Sequence, residues 1–483
     1  MNLQSLTATL LLLSGAALAE TNNPATDWFS RAGYGVFVHY LNELQNNADA
    51  LQSLGRSTSW DECVREFDTE RFAAAMAEAG AGYVIFTTHQ RTRFLIAPNP
   101  TFDRLTGYKP GEACATRDLI ADLHRSLSAR NIPLMLYWTG NGPSADPKAA
   151  AALGFTAPVN PAYVEKWAGV IEDYALRYGD KIAGWWVDGA YEKHGNLGYS
   201  DATLAPLARA LKAGNPHSII AFNPGVELTP YSIHSDYTAG EQNTFGALPD
   251  SRWLGGQHWH ILSYLGHERP DNHLSAGWCE PGLKYTKRAL ANYVTIVNRK
   301  RGTVSIDILL YRDGSVDRSQ LETLKALRPA LISPQNPAPV PAGNLAYRKP
   351  ARLLSLDGHR PLPANSGGTQ TPELGVDGFP DTAARASDEW PWTYEVDLLA
   401  PHPLRRIKAT FSSRAYATRV RVTVSDDHAF WREVATLETP TGHPASCAFP
   451  PVVARYIRIG ALKPDGPGQT GEQMAVSELE AYE

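Results

Sequence analysis

The sequence predicts an α/β protein in two parts, a (β/α)8 TIM-like barrel followed by a β-sandwich, and three observations lead there. Eight short runs rich in β-branched and aromatic residues alternate with longer helical patterns through the first part of the chain, as in a parallel sheet assembled from βα units. A stretch crowded with Pro and small residues, SPQNPAPVPAGN at 333–344, then breaks the rhythm. Beyond it the chain reads as short alternating strands separated by turns, the habit of a sandwich. The expected division is 20–332 for the barrel, 333–343 for a linker and 344–483 for the sandwich. An open doubly wound sheet is the competing arrangement for the same βα units.

Taken in order, the chain opens on MNLQSLTATLLLLSGAALAE, with an apolar stretch at Leu10–Leu13 and the small-x-small triplet Ala17-Leu18-Ala19. This predicts a secretory signal over 1–19, cut after Ala19, and an exported protein, periplasmic or extracellular. Its n-region has no Lys or Arg, and a hydrophobic first helix is the alternative. The strand candidates are YGVFVHYL (34–41), GYVIFTTH (82–89), IPLMLYWTG (132–140), IAGWWVDG (182–189), SIIAFNPG (218–225), IHSDYTAGE (233–241), WHILSYLG (259–266) and VSIDILLY (304–311). Between them lie helices such as DLIADLHRSLSARN, opening on Asp118, and PAYVEKWAGVIEDYALRYGD, opening on Pro161. No later stretch is long and apolar enough to span a bilayer.

With 483 residues, 43% hydrophobic and 20% charged, the chain can fill a large core and exceeds one domain. A net charge of −5 is small for this length and gives no electrostatic case for nucleic acid or an anionic membrane. Four cysteines, Cys63, Cys114, Cys279 and Cys447, include no CxxC pair, which argues against a thiol metal site. Export would permit a Cys63–Cys114 bridge, since both fall in early loops.

The chemistry gathers at strand ends. IAGWWVDG runs apolar and stops on an acid, and a barrel strand's C-terminal end opens onto the catalytic face. Asp188 is therefore either a catalytic group or the cap of the element that follows. The same edge receives His39 with Tyr40, then His89, Tyr137 with Trp138, Asn223, Asp236 and Glu241. Rings beside directional polar groups suit a sugar, whose C–H faces stack while its hydroxyls bond. His258 and His260 alternate as two metal ligands on a strand could, with His267 following; without a third ligand, hydrogen bonding is the expectation. Arg91 and Arg93 could recognise an anionic group or simply sit in a solvated loop.

Several segments then resemble the α-L-fucosidase family of retaining glycoside hydrolases. WFSRAGYGVFVHYL resembles that family's opening strand, FDTERFAAAMAEAGAGYVIFTT its second βα unit, and ATRDLIADLHRSLSARNIPLMLYW the unit after it. YGDKIAGWWVDG is similar to the segment carrying the nucleophile, and VNRKRGTVSIDILLYRDGSV to a late strand. The resemblance implies that Asp188 is the nucleophile, that Glu241 in HSDYTAGEQ is the acid/base with Asp236 in reserve, and that His39 contacts sugar. Tyr40, His89, Gln90, Arg91, Tyr137, Trp138, Trp186 and Asn223 complete the expected set of substrate-binding residues. TTHQRTRF departs from the family's TTKHHDGF, with His89, Gln90 and Arg91 at altered positions, so the sugar could be fucose or a related L-sugar.

Beyond the break, NLAYRKPA, ELGVDGFPDTAARASDEWPWTYEVDL, ARYIRIGAL and VSELEAY resemble the discoidin-like (F5/8 type C) domain. That resemblance implies carbohydrate binding and leaves room for a structural calcium near the VDG loop, with Asp377 and Glu480 as ligands. The expectation is an exported exo-acting glycoside hydrolase that needs no cofactor for catalysis. Its partner would be an oligosaccharide or polysaccharide. The alternatives are a glycan-binding protein without catalysis and a lyase or hydrolase of an anionic polysaccharide.

Overall fold

The computed structural model describes residues 23–267, 276–327, 343–364, 370–378, 382–386, 391–412, 415–439, 444–463 and 474–483. The signal reading over 1–19, and the linker apart from Gly343, lie outside the described residues. The first part is built on strands β1 (Tyr34–Val38), β2 (Val84–Thr87), β3 (Leu134–Thr139), β4 (Ile182–Asp188) and β5 (Ile219–Phe222). A short hairpin, β6 (Trp253–Leu254) and β7 (Gln257–His258), precedes β8 (His260–Tyr264) and β9 (Thr303–Ile308). One curled sheet of seven strands runs β5-β4-β3-β2-β1-β9-β8, every neighbour parallel. Its helices start as their sequences dictate: Asp118 caps helix Leu119–Ser128, and Asn160 caps Pro161–Tyr178 with Pro161 in the first turn.

Seven strands in an open sheet replace the expected closed ring of eight. The stretch at 233–241 forms no regular strand, yet residues 236–242 run between β5 and β8 and bond to both edges. Asp236 N donates to Ile220 O at 2.7 Å, Thr238 N to His258 O at 3.0 Å and Gln242 N to Leu262 O at 2.9 Å. Regular pairing fails for local reasons. Gly240 lies at φ 63° against His260 O, which a Cβ would approach to 2.0 Å. The Thr238 hydroxyl, rather than a backbone group, accepts from His260 N at 2.8 Å.

Successive strand residues point to opposite faces, so the sheet sorts its side chains into two layers. Phe37, Ile85, Met135, Tyr137, Trp186, Ile219 and Leu262 fill the inside of the curl with Phe29 and Tyr83. Val36, Val38, Phe86, Leu136, Trp138, Trp185 and Val187 face outward under the helices. Each buried Trp of that outer layer removes about 200 Å² from water, on the order of 5 kcal/mol of transfer free energy before entropy is subtracted.

The Cys63–Cys114 bridge is not formed: all four cysteines are free. Cys63 turns into the core, its Sγ 3.5 Å from Gln45 O, while Cys114 is buried beside Asp103.

The second part contains β10 (Ala351–Ser355), β11 (Trp392–Phe411), β12 (Arg419–Ser425), β13 (Arg432–Glu438), β14 (Ala445–Lys463) and β15 (Val476–Tyr482). All pairings are antiparallel, in the order β10-β11-β14-β12-β13 with β15 on β11. Rather than two separately bonded sheets, the strands form one network around a core including Trp392, Tyr394, Ile407, Ile457 and Leu479. β11 and β14 are long enough to pass two register shifts, between Asp397 and His402 and between Leu404 and Arg406. β11 thereby pairs β10 at one end and β15 at the other.

Candidate active site

Asp188 ends β4 on the inner face, two residues after Trp186. Gly189 turns the chain away at φ 57°, with the Asn141 amide oxygen 2.5 Å from where a Cβ would stand. Three donors converge on the two Asp188 oxygens: Tyr137 Oη at 2.7 Å on Oδ2, Tyr191 Oη at 2.5 Å and Asn223 Nδ2 at 3.0 Å on Oδ1. Both oxygens act as acceptors, as an ionised carboxylate presents them. The same Asn223 Nδ2 lies 2.5 Å from Glu241 Oε2, so one amide joins the two carboxyl groups.

Glu241 keeps an accessible edge on the cavity but is otherwise enclosed. That burial, then the charge of Asp188, pushes its pKa up to about 7, against the Asn223 bond, which lowers it. Two carboxyls of unlike environment thus face one space. That space is a cavity of about 420 Å³ lined by Phe37, His39, Glu43, Gln90, Tyr137, Trp186, Asp188, Glu241, Trp278 and Cys279 among others. Tyr137 stacks on Trp186 at 5.5 Å and 16°, and Gln90 Nε2 donates to Tyr137 Oη at 3.0 Å. His39 Nδ1 shares a 2.9 Å hydrogen bond with Asp307 Oδ1, whose other oxygen accepts from Cys279 N at 2.9 Å. The neighbour of a reactive-site histidine fixes its ring and tautomer.

Strand alternation decides which expected residues reach this space. His39, Gln90, Tyr137, Trp186, Asp188 and Glu241 line it, and Asn223 bridges the carboxyls. Tyr40 does not reach it: one residue beyond His39, it faces the helix layer, packed on Trp60 and Phe67, its hydroxyl 2.9 Å from Cys63 O. Trp138, one beyond Tyr137, likewise packs outward on Trp167 and Tyr174. His89 is buried between Trp138 and Trp167, and that burial drives its pKa down to about 3. Asp236 is structural: Asn23 Nδ2 (2.7 Å), Ile220 N (2.9 Å) and Lys212 Nζ (2.8 Å) occupy its oxygens. Arg91 is exposed and absent from the lining, while Arg93 pairs with Asp146 at 2.8 Å and lies over Phe94. His258 and His260 bond Thr303 and Ser305, each at 2.8 Å, and burial lowers their pKa values to about 2 and about 4.

Sequence reading missed Tyr191, Glu43, Trp278, Cys279 and Asp307. Asp307 had a signal, an acid inside the apolar run VSIDILLY, the same anomaly that marked Asp188. Tyr191 and Trp278 lie in loops, where no periodicity assigns a direction.

In the second part, Glu480 is bonded to Lys408 Nζ at 2.5 Å and to the Tyr482 hydroxyl. Glu478, two residues earlier, is the carboxylate that feels Asp377. Burial first, then Asp377, raises its pKa to about 9, and its Oε2 accepts from Gly378 N at 2.9 Å. Its Oε1 is buried with no partner among the described residues. Asp377 is buried as well, its Oδ2 accepting from the Thr382 hydroxyl at 2.8 Å.

A sheet of parallel strands with two carboxyls at its C-terminal edge, set in an aromatic cavity, defines a glycoside hydrolase type of site. The family model described as Alpha-L-fucosidase matches residues 58–326, more than half of the chain, and the chain belongs to that family. The F5/8 type C domain model matches residues 363–476. β1 and His39 precede the first of these spans. Among solved structures, the Ruminococcus gnavus GH29 fucosidase in complex with fucose is similar at 14% identity, covering 96% of this chain and 95% of that one, with a TM-score of 0.42. A glycoside hydrolase 29 family member from an unknown rumen bacterium is similar at 13% identity, over 96% and 77%, with a TM-score of 0.47. Chitosan-binding module 1 from a Paenibacillus sp. IK-5 chitosanase/glucanase is similar at 25% identity, over 29% and 98%, with a TM-score of 0.24. A comparison with curated proteins found no match.

Proposed function

We propose that the chain is a retaining exo-glycosidase that removes a terminal α-L-fucose or closely related L-sugar from glycans, with Asp188 as nucleophile and Glu241 as acid/base. The observation that carries this reading is the Asn223 amide, bonded at once to Asp188 and Glu241. A retaining pair stands about 5–5.5 Å apart so that one can attack while the other protonates, and an amide nitrogen bonded to both carboxyls at 3.0 and 2.5 Å is compatible with such a spacing. Asp188 Oδ attacks the anomeric carbon as Glu241 gives its proton to the departing glycosidic oxygen, leaving a glycosyl ester on Asp188 and Glu241 ionised. Glu241 then takes a proton from water as the water oxygen attacks the same carbon, which frees the sugar and restores both groups. Tyr137 and Tyr191 hold Asp188 in line, and the Asp307-oriented His39 offers a bond to a sugar hydroxyl.

The charge of the cavity argues for a neutral sugar. Among the described lining residues none is Lys or Arg, so the cavity wall offers a uronate or sulfate no cationic partner. This weighs against the anionic-polysaccharide alternative. The intact carboxyl pair weighs against a purely glycan-binding role. Export through a leader cut after Ala19, glycan binding by the F5/8 type C domain, and a calcium held by Asp377 and Glu478 belong to the same reading. Release of nitrophenol from nitrophenyl α-L-fucoside, compared with other aryl L- and D-glycosides, tests it. Turnover of an L-glycoside by the wild type and its loss in Asp188→Asn are expected. Wild-type levels in Asp188→Asn would refute the assignment.

A further inference from the structure

We infer that His39, Cys279 and Asp307 form a binding site for a thiophilic divalent cation, zinc by its chemistry, in the wall of the sugar cavity. The three side chains come from separate segments: His39 follows β1, Asp307 lies in β9, and Cys279 sits in the loop preceding helix Lys287–Arg299. One donor atom from each lies within 4.8 Å of the other two, and no other such group of His, Cys, Asp or Glu occurs among the described residues. Zinc bonds of about 2.0–2.3 Å in a tetrahedron need ligand atoms about 3.3–3.8 Å apart.

The donor set discriminates among cations. An imidazole nitrogen, a thiol sulfur and one carboxylate suit zinc and its softer neighbours, whereas calcium and magnesium require oxygen shells. Three protein ligands with a fourth position open on a cavity is the arrangement of an accessible zinc site rather than of a closed structural one. His39 and Cys279 both line the cavity, which supplies that fourth position. The hydrogen bonds present explain His39 and Asp307 as an orienting pair, but they do not use the sulfur. Cys279 is joined to Asp307 through its backbone N–H, and its Sγ has no hydrogen-bond partner among the described residues. Its backbone is left-handed, at φ 58°, uncommon for a residue with a side chain.

On binding, the Cys279 S–H bond breaks, its proton passes to solvent, and sulfur bonds the cation; no electron is transferred. A cation held by His39 and Cys279 in the cavity wall turns its open fourth position toward the space proposed for the sugar, so it is expected to compete with substrate. That competition rests on the proposed function, whereas the binding does not.

Cobalt(II) is the probe. Titration of the full chain with Co2+ is expected to give a thiolate-to-cobalt absorption band in the near ultraviolet, saturating at one equivalent and erased by Zn2+. The band should vanish in Cys279→Ser and persist in Cys447→Ser, with wild-type circular dichroism in both. In kinetics, Zn2+ should raise the apparent KM for the aryl glycoside at least ten-fold and leave kcat unchanged, and a chelator should reverse the effect. Absence of the band in the wild type, or its survival in Cys279→Ser, overturns the site. An intact band without competition leaves the cation site standing and counts instead against this cavity as the sugar pocket.

Discussion

Burial and the Asp188 charge set the working pH of the site, and Asn223 moderates it. The Asn223 bond to Glu241 lowers that group's pKa, while burial and Asp188 raise it to about 7. Since Glu241 must begin protonated, kcat/KM should fall as pH rises through about 7. Asn223→Ala removes the lowering influence and should move this limb to higher pH, besides reducing kcat; a limb that stays in place or moves down would contradict the account of the bond. Glu241→Gln should abolish the limb and lose about 10²–10⁴ in rate on poor leaving groups, with a far smaller loss on good ones. Equal losses on both would remove the acid role.

Two neighbours on β3 test the element scale. Tyr137 faces the carboxyls and Trp138 the helices, so Tyr137→Phe should cut kcat ten-fold or more with little change in stability. Trp138→Phe should cost about 1–3 kcal/mol in denaturant unfolding and leave KM and kcat unaltered. Similar kinetics for the two variants would sink the inward–outward division. Gly240→Ala, forced onto His260 O at positive φ, should lower stability by about 2 kcal/mol or more and displace the adjoining Glu241. The seven strands and the apolar run ending on Asp188 were legible because each is a short, almost continuous run of β-branched and aromatic residues, buried on both faces of a parallel sheet. Strand alternation, applied inside VFVHY and LMLYWT, separates His39 from Tyr40 and Tyr137 from Trp138, which reading the pairs together did not. The irregular stretch at 236–242 was not legible, because its pairing depends on Thr238 and Gly240 meeting β8 from a distance. Nor was the His39–Asp307 bond, whose partners are 268 residues apart.

At the scale of the whole molecule, the F5/8 type C domain carries a pair of carboxylates that a cation would relieve. Without one, Glu478 holds its proton up to about pH 9 in the folded chain, against an ordinary value of 4.5. Stability should therefore decline as pH climbs between those values, and calcium should offset the loss most at the alkaline end. Calorimetry with calcium or chelator checks this: a Tm gain of several degrees is expected at pH 8, absent in Glu478→Gln and kept in Glu480→Gln. A gain that survives Glu478→Gln would place the cation elsewhere. The central claim concerns the other part of the chain, that Asp188 forms a covalent bond to an L-sugar while Glu241 manages the protons. The most direct measurement is trapping with a 2-deoxy-2-fluoro-L-fucosyl fluoride, followed by peptide mass mapping. The account requires the sugar on Asp188, in the peptide containing IAGWWVDG. Labelling of another residue, or turnover that inverts the anomeric configuration with no label at all, would contradict it.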